Sequence, residues 1–448
     1  MGGCCSANME FEGDVVEEEE EEEYDKEEEV NDAREGDFGE LVRLKGFSEY
    51  TSMFTQKGKK GINQDSMTIW EDFSGEKDEI FCGVFDGHGP LGHKVSCHVR
   101  DALPSKLSYL LKEPEMVDYY SSSSDEDEDA DHVDSSHNEA NTQNSFSSFS
   151  LWKKCFVKAF KEMDRELYLD STVDSFCSGS TAVTVLKKGE HLIIANLGDS
   201  RAVLCTRNQK NQLVPVQLTV DLKPNLPGEA ERIRSYNGRV FAREEEPDVY
   251  RLWMADEDCP GLAMSRAFGD FCLKNFGLSS TPKVSYRELA EEDEFVVLAT
   301  DGVWDVLSNK EVIKIVASAG KRSMAAKLLV RRASRAWKFQ HPTAKADDCA
   351  AICLFFKSSS SVVRNSWPKM TLRRTDIVSQ KKLKAAPARH AGHETTKTKP
   401  QTTAEASSEE EWNALKGVSR VNSIVKLPRF SSVKSGKKTS RDQNGQAI

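Results

Sequence analysis

Asp86 and His88 sit two residues apart in "FCGVFDGHGPLG", Phe81 to Gly92, and offer a carboxylate beside an imidazole. A carboxylate holds hard cations, and an imidazole moves protons near neutral pH. The same loop spaces Gly87, Gly89 and Gly92 as G-x-G-x-x-G between an apolar run and "HKVSCHVRDAL", which reads as a helix. Taken alone, that spacing is the dinucleotide fingerprint. A plain turn is the third reading, because Asp and Gly both favour turns.

Asp86 argues against the dinucleotide. A carboxylate beside the first glycine would face an anionic ligand with nothing to neutralise it unless a cation lay between them. The Asp-Gly pattern then returns. "VVLATDGVWDVL" ends an apolar strand on Asp301 and Gly302, "KADDCAAICLFF" starts a strand just after Asp347 and Asp348, and "ANLGDSR" sets Asp199 in a tight turn. Carboxylates at the ends of several strands can converge on one edge. Such oxygen-only clusters suit magnesium or manganese, and the glycines let backbone come close to an ion.

The elements that must carry these residues are strands with helices over them. From Gly179, apolar β-branched runs are separated by "KKGE", "GDS" and "NQKNQ", connections too short for a crossover helix, so an antiparallel meander is expected. "LWKKCFVKAFKEMDRELYL" places Trp152, Phe156, Phe160, Met163 and Leu167 on one helical face. "LSNKEVIKIVASAG" opens with a capping box, Ser308 to Glu311, and stops at Gly320; a further helix is expected to follow Ser323 as its cap. The sum is an α+β domain of antiparallel sheets covered by helices, not the parallel βαβ series a dinucleotide site needs.

These residues also match a family in order. "INQDS", "VFDGHGP", "SGSTAVTVL", "ANLGDSRAVL", "LTVDLKP", "RIRSYNGRV", "GLAMSRAFGD", "LATDGVWDVL" and "DDCA" make the stretch from about Gly46 to Lys357 resemble the metal-dependent, type 2C protein Ser/Thr phosphatases, plant members most of all. The resemblance implies a four-layer α/β/β/α sandwich and hydrolysis of phosphoserine and phosphothreonine in proteins by metal-activated water. It implies two magnesium or manganese ions, with Asp86 bridging them, the Gly87 carbonyl on one, and Asp301 and Asp347 on the other. Asp199 and Asp305 would serve a weaker third ion. His88 matches the general acid for the leaving alkoxide, while Gln64, Asp65 and Asp270 would support the ligands from behind.

Two positions depart from the family. Lys60 stands where many members carry the phosphate-binding Arg, and it binds as a point charge without the bidentate fork; Lys59 is a candidate to compensate. Gln64 replaces a Glu that contacts metal-bound water. These two residues are what a rival reading rests on: a membrane-tethered module that binds phosphoproteins with weak or absent catalysis. Leu222 replaces a common His. The text from Lys223 to Gly261 corresponds to a flap beside the active site, in which Trp253 is expected to be packed, with a partner anchor as the alternative.

Other chemistries fit poorly. No H-C-x5-R loop supplies a thiolate nucleophile. Ala130 and Ser136 occupy the Gly and Glu places an EF-hand needs in "DEDEDADHVDSS".

The 448 residues carry a net charge of -12, concentrated in Glu17 to Glu23 and Asp125 to Asp134. Residues 1–40 are expected to be a lipidated, acidic, disordered segment. Residues 41–357 are expected to form the catalytic domain with an acidic insertion at about 115–148. Residues 358–448 are expected to be a basic, disordered tail, with eighteen Lys and Arg against seven acids. "MGGCCS" fits myristoylation of Gly2 with Cys4 and Cys5 as palmitate acceptors, which would place the protein on the cytoplasmic face of a membrane, the plasma membrane by expectation. Eleven cysteines without C-x-x-C spacing read as reduced thiols. A monomer with phosphoprotein substrates and no specific nucleic-acid partner is expected. Ser121 to Ser124, which precede an acidic run, and Thr375 and Ser423, which follow Arg, are candidate phosphorylation sites.

Overall fold

The computed structural model describes residues 32–36, 39–114, 142–357 and 423–424. Gly2, Cys4, Cys5, the acidic run with Ser121 to Ser124, and Thr375 lie outside them.

Two antiparallel sheets stack face to face. The first runs Leu41–Phe47, Asp65–Glu71, Glu79–His88, Ala182–Lys188, His191–Leu197 and Lys283–Glu288 from edge to edge. The second runs Leu213–Gln217, Arg201–Arg207, Asp293–Ala299, Cys349–Phe355 and Thr51–Gln56. The Leu41–Phe47 strand belongs to both, pairing Leu41 to Arg43 with the first and Gly46 and Phe47 with the second.

Strands buried on both faces need continuous apolar runs, and period-two alternation sorts each run between two cores. Along Glu79–His88, Phe81 and Phe85 point to the core beneath the helices Gly92–Lys112 and Thr142–Leu169. Cys82 and Val84 point the other way, onto Met53, Val296, Leu298 and Ile352 between the sheets. A third core lies under Asn309–Ala317 and Ala325–Gln340, on the outer face of the second sheet. These are the four layers expected. Phe156, Phe160, Met163 and Leu167 are fully buried, with Trp152 packed beside them. Truncating one such Phe to Ala removes about 3–5 kcal/mol.

The structure corrects several local expectations. The run from Gly179 is not one meander: His191–Leu197 and Arg201–Arg207 belong to different sheets, so the chain crosses the sandwich at Gly198, Asp199 and Ser200. Asp32–Glu35, inside the segment expected to be a disordered tail, forms a strand against Leu41–Lys45; backbone pairing on an edge asks nothing of its polar side chains. The helix Thr142–Leu169 begins inside the expected 115–148 insertion. The Ser308–Glu311 capping box is present, but its helix ends at Ala317, before Gly320. Ser323 is no cap, because the 3-10 turn Arg322–Met324 feeds straight into Ala325–Gln340 and takes up the role a cap would have.

The flap is a separate small layer. Pro227–Ser235 packs on a three-stranded sheet of Arg239–Ala242, Tyr250–Trp253 and Pro260–Leu262 around Ile233, Leu252, Met254 and Leu262. Trp253 is buried there, its ring stacked on Phe241 at 4.8 Å and its Nε1 donating to the Phe241 carbonyl at 3.0 Å. The packing reading of Trp253 holds.

Candidate metal centre

Asp86 is near the end of the Glu79–His88 strand and lies opposite Asp65 in register. Its amide donates to Thr181 Oγ1 at 3.1 Å, and its carbonyl accepts from the Thr181 amide at 2.9 Å. Gly87 has no room for a side chain: a Cβ would lie 2.3 Å from the Gly92 carbonyl oxygen and 2.7 Å from that of Gln64. Asp301 opens the helical turn Asp301–Trp304 directly after the Asp293–Ala299 strand. Asp305 closes that turn, donating its amide to the Asp301 carbonyl at 2.8 Å, and its side chain is exposed. Asp347 immediately precedes Asp348 and the Cys349–Phe355 strand, and Asp199 is buried at the crossing between the sheets.

The carboxylates act on one another. Burial first, and then the charges of Asp301, Asp65, Asp347 and Asp199, push the Asp86 carboxyl well above the usual range. Burial and then Asp347, Asp199 and Asp305 do the same to Asp301. Asp65 rises through burial, Asp348 and Asp347, although Thr300 Oγ1 donates to it at 2.8 Å. Two lysines answer this field. Lys60 Nζ pairs with Asp347 Oδ2, and Lys223 Nζ pairs with Asp199 Oδ2. Burial works against both ammonium charges, yet Asp347, Asp301 and Asp86 raise Lys60, and Asp199, Asp301 and Asp305 raise Lys223.

As the side chains stand, no three His, Cys, Asp or Glu among the described residues form a closed cage for an ion. The donor set nevertheless suits hard cations. Asp86, Asp301, Asp347, Asp199 and Asp305 face two ammonium groups, which leaves negative charge in excess, and Asp199 Oδ1 is buried with no hydrogen-bond partner. An oxygen-only cluster of this charge, completed by backbone carbonyl and water, matches magnesium or manganese better than softer metals.

His88 and Asp270 form a buried pair, with His88 Nε2 2.5 Å from Asp270 Oδ2. His88 Nδ1 and Asp270 Oδ1 are buried without hydrogen-bond partners. Asp270 takes a left-handed conformation at φ 49°, uncommon for a residue with a side chain. Gly179 packs against the pair, since a Cβ there would lie 2.3 Å from Asp270 Oδ2 and 2.6 Å from His88 Nε2. Gln64 Nε2 is spent on the Gly89 carbonyl at 3.0 Å. Thus Asp65, Asp86, Asp199, Asp301, Asp305, Asp347 and Lys60 share one field, while His88 lies one residue beyond Gly87 with Asp270 held against it.

Spacing alone did not reveal Lys223 or Thr181, nor what Asp348 does. Lys223 gave no signal beyond its place in "LTVDLKP". Asp348 clamps the loop before Asp65, accepting from the Gly58 amide at 2.7 Å and the Gln64 amide at 2.9 Å. Thr181 anchors Asp86. A long-range side-chain-to-backbone bond leaves no local pattern in a sequence.

Comparison with known proteins decides the family. The family model described as protein phosphatase 2C matches residues 125–336. Probable protein phosphatase 2C 73 of Oryza sativa subsp. japonica is 50% identical over 407 residues, which is 90% of this chain and 92% of that protein. The chain belongs to the protein phosphatase 2C family. Probable protein phosphatase 2C 65 of Arabidopsis thaliana is 54% identical over 358 residues, covering 79% of this chain and 88% of its own. The crystal structure of a serine-threonine phosphatase 2C from Toxoplasma gondii superposes with a TM-score of 0.59 at 25% identity, covering 71% of this chain and 99% of that one. This phosphatase is therefore metal-dependent, hydrolyses phosphoserine and phosphothreonine, and has phosphoproteins as substrates. No finding favours the binding-only alternative.

Proposed function

We propose that the carboxylate cluster holds two divalent ions, magnesium or manganese. Asp86, the Gly87 carbonyl, Asp301 and Asp347 would hold them, with Asp199 and Asp305 lending a weaker third position. What supports this reading is the convergence of Asp86, Asp301, Asp347 and Asp199 on one another and on two half-buried lysines, Lys60 paired with Asp347 and Lys223 paired with Asp199. Bound ions would supply charge neutralisation for the phosphoryl oxygens and a lowered pKa for the attacking water.

The chain's own residues supply the remainder. Lys60 brings a positive charge to the cluster's mouth, where a phosphate oxygen can share it with Asp347. Asp270 fixes the His88 ring by accepting its Nε2 proton, and His88 protonates the leaving serine or threonine oxygen. Gln64 orients the Asp86 loop through the Gly89 carbonyl. Asp348 and Thr300 hold the loop and the Asp65 carboxylate behind the ligands.

The N-terminal "MGGCCS" supports attachment to the plasma membrane from the cytoplasmic side, through myristate on Gly2 and palmitate on Cys4 or Cys5. The catalytic unit would work as a monomer. Calorimetric titration of manganese into the full chain tests the cluster. Two ions bound by the wild type and weakened binding in Asp347→Asn are expected, and equal binding by both would remove Asp347 from the site.

A further inference from the structure

Two residues of the basic C-terminal segment, Ser423 and Ile424, lie against the flap. The Ser423 carbonyl accepts from the Ala263 amide at 2.8 Å, directly after the Pro260–Leu262 strand. Among the described strands that one is an edge, paired only with Tyr250–Trp253, and an edge offers unused backbone groups to an added segment. Arg251, fully buried, ties the join together. Its Nη1 reaches the Gly261 carbonyl at 3.0 Å and the Ser423 carbonyl at 3.5 Å, while its Nη2 holds Glu246 at 2.9 Å. The next residue, Ile424, packs against the flap's own apolar core.

We propose that Ser423 and Ile424 form an intramolecular strap that completes the edge of the flap sheet. Backbone pairing supplies the register, and the Ile424 side chain supplies the apolar anchor. The strap's seat connects to the carboxylate cluster through a short path of chain, hydrogen bonds and one ion pair. Ser265, two residues past Ala263, donates both its amide and its Oγ to the Leu222 carbonyl, at 2.9 Å each. Leu222 is followed by Lys223, the partner of Asp199. The tail thereby braces the segment that places a lysine in the catalytic field. Ser423 also follows Arg420 at a spacing that basic-directed kinases accept, which puts a modifiable hydroxyl inside the strap itself.

Hydrogen exchange on the full chain tests the strap, comparing wild type with Ile424→Asp and Ile424→Val. Losing one hydrogen bond and one apolar contact should speed exchange of amides in peptides spanning 259–264 by about tenfold or more in Ile424→Asp. Ile424→Val should match wild type, and peptides from the Glu79–His88 strand should be unchanged, which separates release of the strap from unfolding. Equal exchange at 259–264 in all three proteins would overturn the proposal. Wild-type rates that stay constant on hundredfold dilution support docking within one chain. Rates that rise on dilution would overturn it in favour of a second copy.

Discussion

Glu229, on the flap helix Pro227–Ser235, has 5% of its surface exposed. Its two oxygens take Arg266 Nε and Nη2 at 2.6 to 3.1 Å and Arg232 Nη2 at 2.7 Å. Burial alone would raise this carboxyl, but the guanidinium groups of Arg266 and Arg232 outweigh it and hold it down to about 2, from 4.5. At about 1.4 kcal/mol per unit, that depression corresponds to about 3 kcal/mol of folding stability. Because the folded value lies below the unfolded one, the contribution is complete above about pH 4.5 and is lost as pH falls toward 2. Glu229→Gln keeps the shape and removes the charge, leaving two buried guanidinium groups short of an acceptor. Urea unfolding of both proteins should show the variant about 2–3 kcal/mol weaker at pH 7, with the gap closing as the pH is lowered from 5 to 3. A gap that is absent at pH 7, or constant with pH, would refute the reasoning.

Asp270→Asn keeps the hydrogen-bonding outline beside His88 but not the charge. A tenfold to hundredfold fall in kcat with little change in KM is expected from steady-state kinetics on a phosphopeptide, about what such supporting carboxylates are worth. Gly302→Ala would drive a Cβ to 1.9 Å from the Asp348 carbonyl oxygen, wedging the Asp301 turn away from the Asp347–Asp348 segment that leads into the Cys349–Phe355 strand. Thermal unfolding should register a loss of about 1–3 kcal/mol, and phosphatase activity should fall with it. Gly2→Ala should move the protein from the membrane pellet to the soluble fraction without altering kcat on a phosphopeptide; an unchanged distribution would remove the lipid anchor.

Much of the site was legible because its signal is local. A strand that ends in Asp-Gly appears at Asp86 and again at Asp301, and a buried strand shows itself as an unbroken apolar run. The helix over the first sheet was equally plain, since Phe156, Phe160, Met163 and Leu167 repeat at helical spacing. The crossing at Asp199 was not legible. Two strands joined by "GDS" look the same whether they pair with each other or part to different sheets, and only the stacking of the sheets decides. The Asp32–Glu35 strand escaped for a related reason: four exposed residues, three of them charged, carry no apolar alternation, and their pairing is backbone only. Lys223 and Asp348 act across long stretches of chain, so nothing near them in the sequence marks their partners.

The most direct measurement is phosphate release from a phosphothreonine peptide by the full chain, with manganese or magnesium and then with excess chelator, alongside Asp301→Asn. Turnover that requires the metal, disappears with chelator and falls by at least about a hundredfold in the variant is the predicted result. Turnover that persists in chelator, or an Asp301→Asn protein as active as wild type, would contradict the assignment of chemistry to this carboxylate cluster.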